Sequence, residues 1–175
     1  MVEEVYPSIF RMQIPIPRSP LKATNAYVIK GTERTLLIDS GQNCVEALTA
    51  IQAGLAELQV DLSQTDVFVT HMHADHSGLL PFLRQDGTRF FAAAADAAVI
   101  NHMFTEADPM EPLRVAACEN GFSPEEAIAA IRRHPGNDIG SKAGLQFETV
   151  VDGAVFAAGP FQFLCIATPP NSSKI

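Results

Sequence analysis

The 175 residues suffice for one domain, and a chain of that size buries about 70% of the surface its unfolded form exposes. Apolar residues make up 47% and charged residues 18%, which excludes a disordered chain and a coiled coil. Twenty acidic against twelve basic residues leave a net charge of −8 with the Lys and Arg scattered, which argues against a nucleic-acid groove that works by displacing counterions.

The opening stretch MVEEVYPSIFRM carries acids where a secretory signal carries bases, and no run approaches the ~20 apolar residues of a membrane span. Val5–Met12 predicts a first strand, with Ile9 and Phe10 as its apolar members. Pro15, Pro17 and Pro20 then make a loop, because each removes a backbone donor and restricts the residue before it. Asn25–Lys30 and Arg34–Asp39 are β-rich runs joined by Gly31-Thr32-Glu33, which reads as an antiparallel hairpin. Val45, Leu48, Ile51, Leu55 and Leu58 recur at helical spacing and lay one helix face on the sheet. Asp66–Thr70 is an almost continuous apolar run, suited to a strand covered on both faces. Ser77–Leu83 reads as a short helix and Thr88–Ala93 as another buried strand. Strand and helix thus alternate, which predicts an α/β layered sheet.

Residues 94–146 change character and read as a helical insertion within a single domain spanning 1–175. Ala94–Phe104 and Ser123–Arg133 predict helices, the second from its Ser-Pro-Glu-Glu start, while Ala107–Glu119 is ambiguous because Pro109 and Pro112 interrupt it. The apolar Met103, Phe104, Met110, Leu113, Val115 and Phe122 of this stretch are either core or a lid that receives an apolar acyl group. Short strands return at Phe147–Val151, Ala154–Phe156 and Phe161–Thr168. Cys44, Cys118 and Cys165 are far apart and form no C-x-x-C arrangement, as expected of buried or half-buried thiols in a reducing compartment. A cytoplasmic protein with no membrane contact is the expectation.

One segment carries chemistry. His71, His73, Asp75 and His76 put four metal-competent side chains into six residues directly behind a buried strand, and use three of the five histidines in the chain. Imidazole nitrogen and carboxylate oxygen suit zinc, and also iron or manganese. The strand end fixes the backbone on one side, so the side chains converge at small ordering cost. Alternate spacing turns His71 and His73 to one side of the loop, where they share an ion, while Asp75 and His76 serve a neighbouring one. Two ions ~3.5–4 Å apart share a water and lower its pKa toward ~7, which favours hydrolysis of an ester, thioester or lactone.

Thr70-His-Met-His-Ala-Asp-His76, followed by Ser77-Gly78, resembles the signature of the metallo-β-lactamase superfamily. Asn25-Ala-Tyr27 on an early strand and Ile38-Asp-Ser-Gly41 at the end of the next fit the same family, and the resemblance extends over essentially the whole chain, with 94–146 the less typical part. It implies an αββα sandwich with the metal site on its edge. By motif position it implies that His71 and His73 are ligands of a first metal and Asp75 and His76 of a second. Asp75 would also orient or deprotonate the attacking water, the catalytic role. Asp39 resembles the acidic support beneath the site; a turn residue ahead of Gly41 is its other reading. The implied cofactor is one or two zinc ions, with iron or manganese as alternatives, and the implied partner is a small-molecule acyl substrate.

The sequence departs from the family after the strand Phe161–Ala167. Where the family has Thr-Pro-Gly-His, this chain has Thr168-Pro169-Pro170-Asn171, with Asn171 at the position of the histidine that completes the first site. Two histidines leave an ion short of the three protein ligands of a catalytic zinc. His102 and His134, the remaining imidazoles, lie in the helical stretch, where a surface or half-buried histidine is the commoner outcome. The expectation is a truncated form of a longer hydrolase, with an inactive fragment or a metal-poor binding module as the alternative. The apolar faces of the strands at 24–30, 34–39, 66–70 and 161–167 are expected to lack an opposing sheet. At ~25 cal/mol per Å2, several hundred Å2 left bare forfeits several kcal/mol, so the exposed face is also a route to a homo-oligomer.

Overall fold

The structure, a computed structural model, describes residues 2–17, 19–106, 108–132 and 144–168. Seven strands form one sheet in chain order: β1 (Val2–Tyr6), β2 (Ile9–Pro15), β3 (Ala23–Lys30), β4 (Thr35–Ile38), β5 (Thr65–Phe68), β6 (Arg89–Ala93) and β7 (Phe147–Val150). Neighbours are antiparallel from β1 to β4 and parallel from β4 to β7. Each parallel step needs a crossover, and when strands are added in one direction right-handed crossovers leave every helix on the same face. The crossovers are α1 (Val45–Glu57), then α2 (Ala74–Ser77) with α3 (Leu80–Leu83), then α4 (Ala94–Thr105), α5 (Glu111–Glu119) and α6 (Pro124–Ile131).

Successive residues of a strand point to opposite faces, and here both faces are apolar. Val28, Leu37, Val67 and Phe90 join Ile51 and Leu55 of α1 and Ile100 and Phe104 of α4 in the main core. Their neighbours Ile29, Leu36, Ile38 and Phe68 face the other way, onto Phe156, Phe161 and Phe163. Those three belong to a second, two-stranded antiparallel sheet, β8 (Val155–Ala158) and β9 (Phe161–Leu164). Phe156 meets Phe68 and Phe91 edge to face, with ring centroids 5.9 and 4.8 Å apart. The layers are therefore helix, large sheet and small sheet. The mixed α/β layering expected from the alternation of elements is the one that forms.

Four expectations change. The strand predicted over 5–12 is two strands, because Pro7 and Ser8, the latter at φ 67°, turn the chain between β1 and β2. The face expected to lack an opposing sheet is covered in part by the β8–β9 hairpin, and residues 161–164 belong to that cover rather than to the large sheet; the outward Val155, Leu164 and Ile166, with Val151, stay exposed. Pro112 does not break the ambiguous stretch: it sits in the first turn of α5, where a missing N–H costs nothing because that amide has no acceptor within the helix. Of the residues read as core or lid, Phe104 and Met110 are buried, Phe104 in the main core, while Leu113, Val115 and Phe122 are exposed. Among the described residues no helix is long and apolar enough to cross a membrane. His134 and Pro169–Asn171 lie outside the described residues.

Candidate metal centre

The loops that leave the carboxyl ends of parallel strands emerge side by side, and this is where the histidine cluster sits. Asp39 comes directly after β4, at φ 61°, a left-handed conformation that Asp tolerates better than most residues. Its N–H donates to the Phe68 carbonyl at 2.9 Å, which ties β4 to β5 one residue beyond the ladder. Its carboxylate, 4% exposed as a residue, is occupied on both oxygens. Oδ1 accepts from the Thr70 backbone N–H at 2.8 Å, and Oδ2 accepts from the Thr70 hydroxyl at 2.8 Å and from His76 Nδ1 at 2.7 Å. Asp39 is both the turn residue and the carboxylate beneath the cluster.

Thr70 passes this order to His71. Its hydroxyl proton goes to Asp39, so the oxygen is left to accept from His71 Nδ1, 3.1 Å away, and the lone pair of His71 sits on Nε2. The following peptides are held as firmly. The Met72 N–H donates to Asp96 Oδ1 at 2.9 Å, and the Ser77 hydroxyl donates to the Met72 carbonyl at 3.0 Å. His73 starts α2, its carbonyl accepting from the His76 and Ser77 N–H groups at 2.9 and 3.0 Å. Both the N–H and the hydroxyl of Ser40 donate to the His76 carbonyl at 2.8 Å. A Cβ on Gly78 would lie 2.6 Å from the Ala74 carbonyl oxygen and 2.7 Å from the Asn43 nitrogen, so only glycine lets this helix seat against the loop after β4.

Two pairs of donor atoms result. His71 Nε2 and His73 Nδ1 are 2.9 Å apart, and Asp75 Oδ2 and His76 Nε2 are 3.3 Å apart. The two pairs adjoin, since the His71 and His76 ring centroids are 4.2 Å apart. Two nitrogens bound ~2.0–2.1 Å from one tetrahedral zinc stand about 3.3 Å from each other. The second pair has that spacing and the first is slightly tighter. Among the described residues no group of three His, Cys, Asp or Glu side chains is disposed to hold one ion. The structure thus places the four predicted side chains together as two pairs, neither of them joined by a third donor; His102 lies exposed on α4.

Burial, helped by the neighbouring His76 and His73, lowers the pKa of His71 and so favours its neutral ring. The hydrogen bond from His76 holds the Asp75 carboxyl below the ordinary carboxylate range. Burial alone would lower His76, but its hydrogen bonds to Asp39 and Asp75 prevail and push it up to about 9. A ring clamped between two carboxylates carries a proton on each nitrogen, and a cation reaching Nε2 takes the place of the proton there.

Beside the cluster lies a cavity of about 890 Å³ at the carboxyl ends of β5 to β7. Ile38, Phe68, Val99, Phe156 and Phe163 wall it, and Thr70, His71 and His73, but not Asp75 or His76, line it. The wall from the helical stretch is Ala95, Asp96 and Val99 rather than the lid candidates Phe104 and Met110. Sequence reasoning missed Asp96 and Ser77 as partners of this loop. The one signal for Asp96 was its isolation as a carboxylate within Ala92–Ala98.

A superposition on a metallo-beta-lactamase family protein from Thermus thermophilus gives a TM-score of 0.75 at 23% identity, over 95% of this chain and 53% of that one. BJP-1, a subclass B3 metallo-beta-lactamase of Bradyrhizobium japonicum, gives 0.64 at 17%, over 96% and 52%. The sequence profile of the metallo-beta-lactamase superfamily matches residues 20–88, which hold β3, β4, α1, β5 and the whole cluster. Residues 20–88 of the chain belong to the metallo-β-lactamase superfamily. Within it, the chain is 30% identical over 118 residues to an atrochrysone carboxyl ACP thioesterase of Emericella nidulans, over 67% of this chain and 36% of that protein. It is 41% identical over 81 residues to the probable metallo-hydrolase YqjP of Bacillus subtilis, over 46% of this chain and 22% of that protein. The chain spans about half the length of the superfamily structures it superposes on.

Proposed function

We propose that the protein is a metal-dependent hydrolase of small acyl substrates, cleaving an ester, thioester or lactone at a site for one or two zinc ions, with iron or manganese as alternatives. The observation that carries this reading is the pair of donor pairs, His71 Nε2 with His73 Nδ1 and Asp75 Oδ2 with His76 Nε2, backed by Asp39 on the other nitrogen of His76. An imidazole that binds a metal commonly gives its remaining N–H to a carboxylate, which fixes the tautomer and raises ligand basicity. Nitrogen and carboxylate donors at these separations suit a divalent ion of the zinc class. When bound, such an ion supplies Lewis acidity and a water whose pKa falls toward ~7.

The chain's own residues divide the remaining work. His71 and His73 hold the first ion, and Asp75 and His76 the second. Asp39 and Thr70 keep the rings of His76 and His71 turned toward them. Asp75 accepts a hydrogen bond from the attacking water and orients it; its lowered pKa keeps it ionised and makes it a weak base, so orientation is its larger part. The apolar cavity beside His71 receives the acyl group. A thioester is favoured within this class because five relatives carry the name of an ACP thioesterase. The three free, half-buried thiols suit a cytoplasmic setting.

Elemental analysis after dialysis against zinc, paired with hydrolysis assays on acyl thioesters, aryl esters and lactones, tests the proposal. Bound zinc and turnover that vanish together in His71→Ala and His76→Ala are expected; zinc binding that survives both substitutions overturns it. The absence of a third donor on either pair among the described residues supports a second reading, a metal-poor binding module. That reading predicts sub-stoichiometric zinc and no turnover.

A further inference from the structure

The segment His71-Met72-His73 presents the first donor pair, and the geometry of Met72 sets how its two neighbours converge. The peptide plane on one side of Met72 is fixed through the Met72 N–H, and the plane on the other side through the Met72 carbonyl. Ser77 holds the carbonyl from within the same motif, with its hydroxyl at 3.0 Å. Asp96, twenty-four residues further along the chain, holds the N–H with Oδ1 at 2.9 Å. A hydrogen bond to an ionised acceptor is shorter and about twice as strong as a neutral one, so this bond can dictate the plane rather than follow it.

The surroundings of Asp96 are arranged for that contact. It is the one polar residue in Ala92–Ala98, and the alanines on either side let the start of α4 lie close to the loop. It stands in the first turn of α4, where the helix dipole favours a negative charge. The α4 N-cap is Ala93, which has no side-chain oxygen to give the helix. The carboxylate of Asp96 reaches the loop after β5, and the residue also lines the cavity beside His71 and His73.

We infer that Asp96 is a positioning residue: through the Met72 N–H it sets the plane on which His71 Nε2 and His73 Nδ1 converge, and so governs capture of a divalent cation by that pair. The inference rests on the metal-binding reading above. Asp96→Asn keeps an oxygen acceptor and loses the charge, whereas Asp96→Ala loses both, so the two variants separate a hydrogen bond from a helix-dipole effect. Two measurements apply to the protein and both variants, with circular dichroism to confirm folding. The first is hydrogen exchange at the Met72 amide without metal; the second is titration with Co2+, following the visible d–d bands. Asp96→Ala is expected to speed Met72 exchange by at least ~10-fold, weaken Co2+ binding by about 10–100-fold and shift the bands, as losses of outer hydrogen-bond partners do. Asp96→Asn is expected to restore the unsubstituted spectrum and most of the affinity. Unchanged exchange at Met72 in Asp96→Ala overturns the inference whether or not Co2+ binds. An unchanged Co2+ spectrum, or equal impairment of the two variants, also overturns it. Failure of the unsubstituted protein to take up Co2+ overturns the metal reading instead.

Discussion

The two ends of the parallel strands each bury one aspartate, and they use it differently. At the amino ends Asp66, 5% exposed, is gripped by Arg34 Nε at 2.6 Å and Arg89 Nε at 2.8 Å, while Arg34 also donates to the Thr65 and Gly87 carbonyls at 3.0 and 2.9 Å. At the carboxyl ends Asp39, 4% exposed, meets a backbone N–H, a hydroxyl and an imidazole. A guanidinium does not surrender its proton in a protein, so the first arrangement is a permanent clamp across β4, β5 and β6. An imidazole exchanges a proton within the ordinary pH range, so in the second arrangement Asp39 keeps its hold on Nδ1 while the far nitrogen of His76 stays open to exchange. On the proposed reading, equal burial of a carboxylate serves stability at one end and ligand capture at the other.

Asp66→Ala strikes the first clamp and should have the largest effect. Removing one member of a buried ion pair costs about 3–5 kcal/mol, and because the Arg34 and Arg89 side chains are 26% and 46% exposed, roughly 2–3 kcal/mol is expected here. Urea denaturation should register that loss with zinc stoichiometry unchanged; a protein that no longer binds zinc would break the division between the ends. Asp39→Asn, which keeps the side chain's shape and its tolerance of a left-handed backbone, should show the converse. Calorimetric zinc affinity should fall about 10–100-fold while stability falls by only roughly 1–2 kcal/mol. Thr70→Val keeps the backbone bond to Asp39 and loses the hydroxyl that orders His71. It should weaken zinc by up to ~10-fold, with a stability cost of about 1 kcal/mol on the same two assays.

A helix outside both ends sets the floor. Ser123 and Glu126 cap α6 reciprocally, and the Ser123 N–H bonded to Glu126 holds that carboxyl below its usual range. The stabilisation is present above the ordinary glutamate pKa of 4.5 and is lost as pH falls through the lowered value. Glu126→Gln should therefore differ from the unsubstituted protein in the acid limb of its thermal stability and nowhere in zinc binding. A zinc effect there would show that the ends are coupled through the whole fold.

The parts of this molecule that announced themselves did so through short-range pattern. The helix over 45–57 carried its buried Ile51 and Leu55 at helical spacing, and Val67-Phe68-Val69, at the end of β5, was an apolar run of the kind that both faces of a covered strand require. The cluster was legible for the same reason: four donors in six residues need no tertiary knowledge. What stayed hidden depends on distance along the chain. Nothing near Asp96 reveals that its acceptor atom faces Met72, and nothing in β9 says that its phenylalanines cover β4 and β5 instead of extending their sheet. Pro112 misled because proline reads as a breaker until its place in the first turn is known. Asp39 divided between two readings because a turn at the end of a strand and a carboxylate under a site ask for the same residue.

The tight seat at Gly78 has one more effect. With the Asn43 nitrogen 2.7 Å and the Gly41 oxygen 3.0 Å from where a methyl would sit, the short segment bearing Asp75 and His76 packs backbone to backbone on the loop after β4. Ser40 and Gly41 bind it there as well, through the His76 carbonyl and the Leu79 N–H. A substitution among residues 40–43 that moves this loop therefore moves the seat of the second donor pair, as a shim beneath a bearing sets the height of the shaft above it.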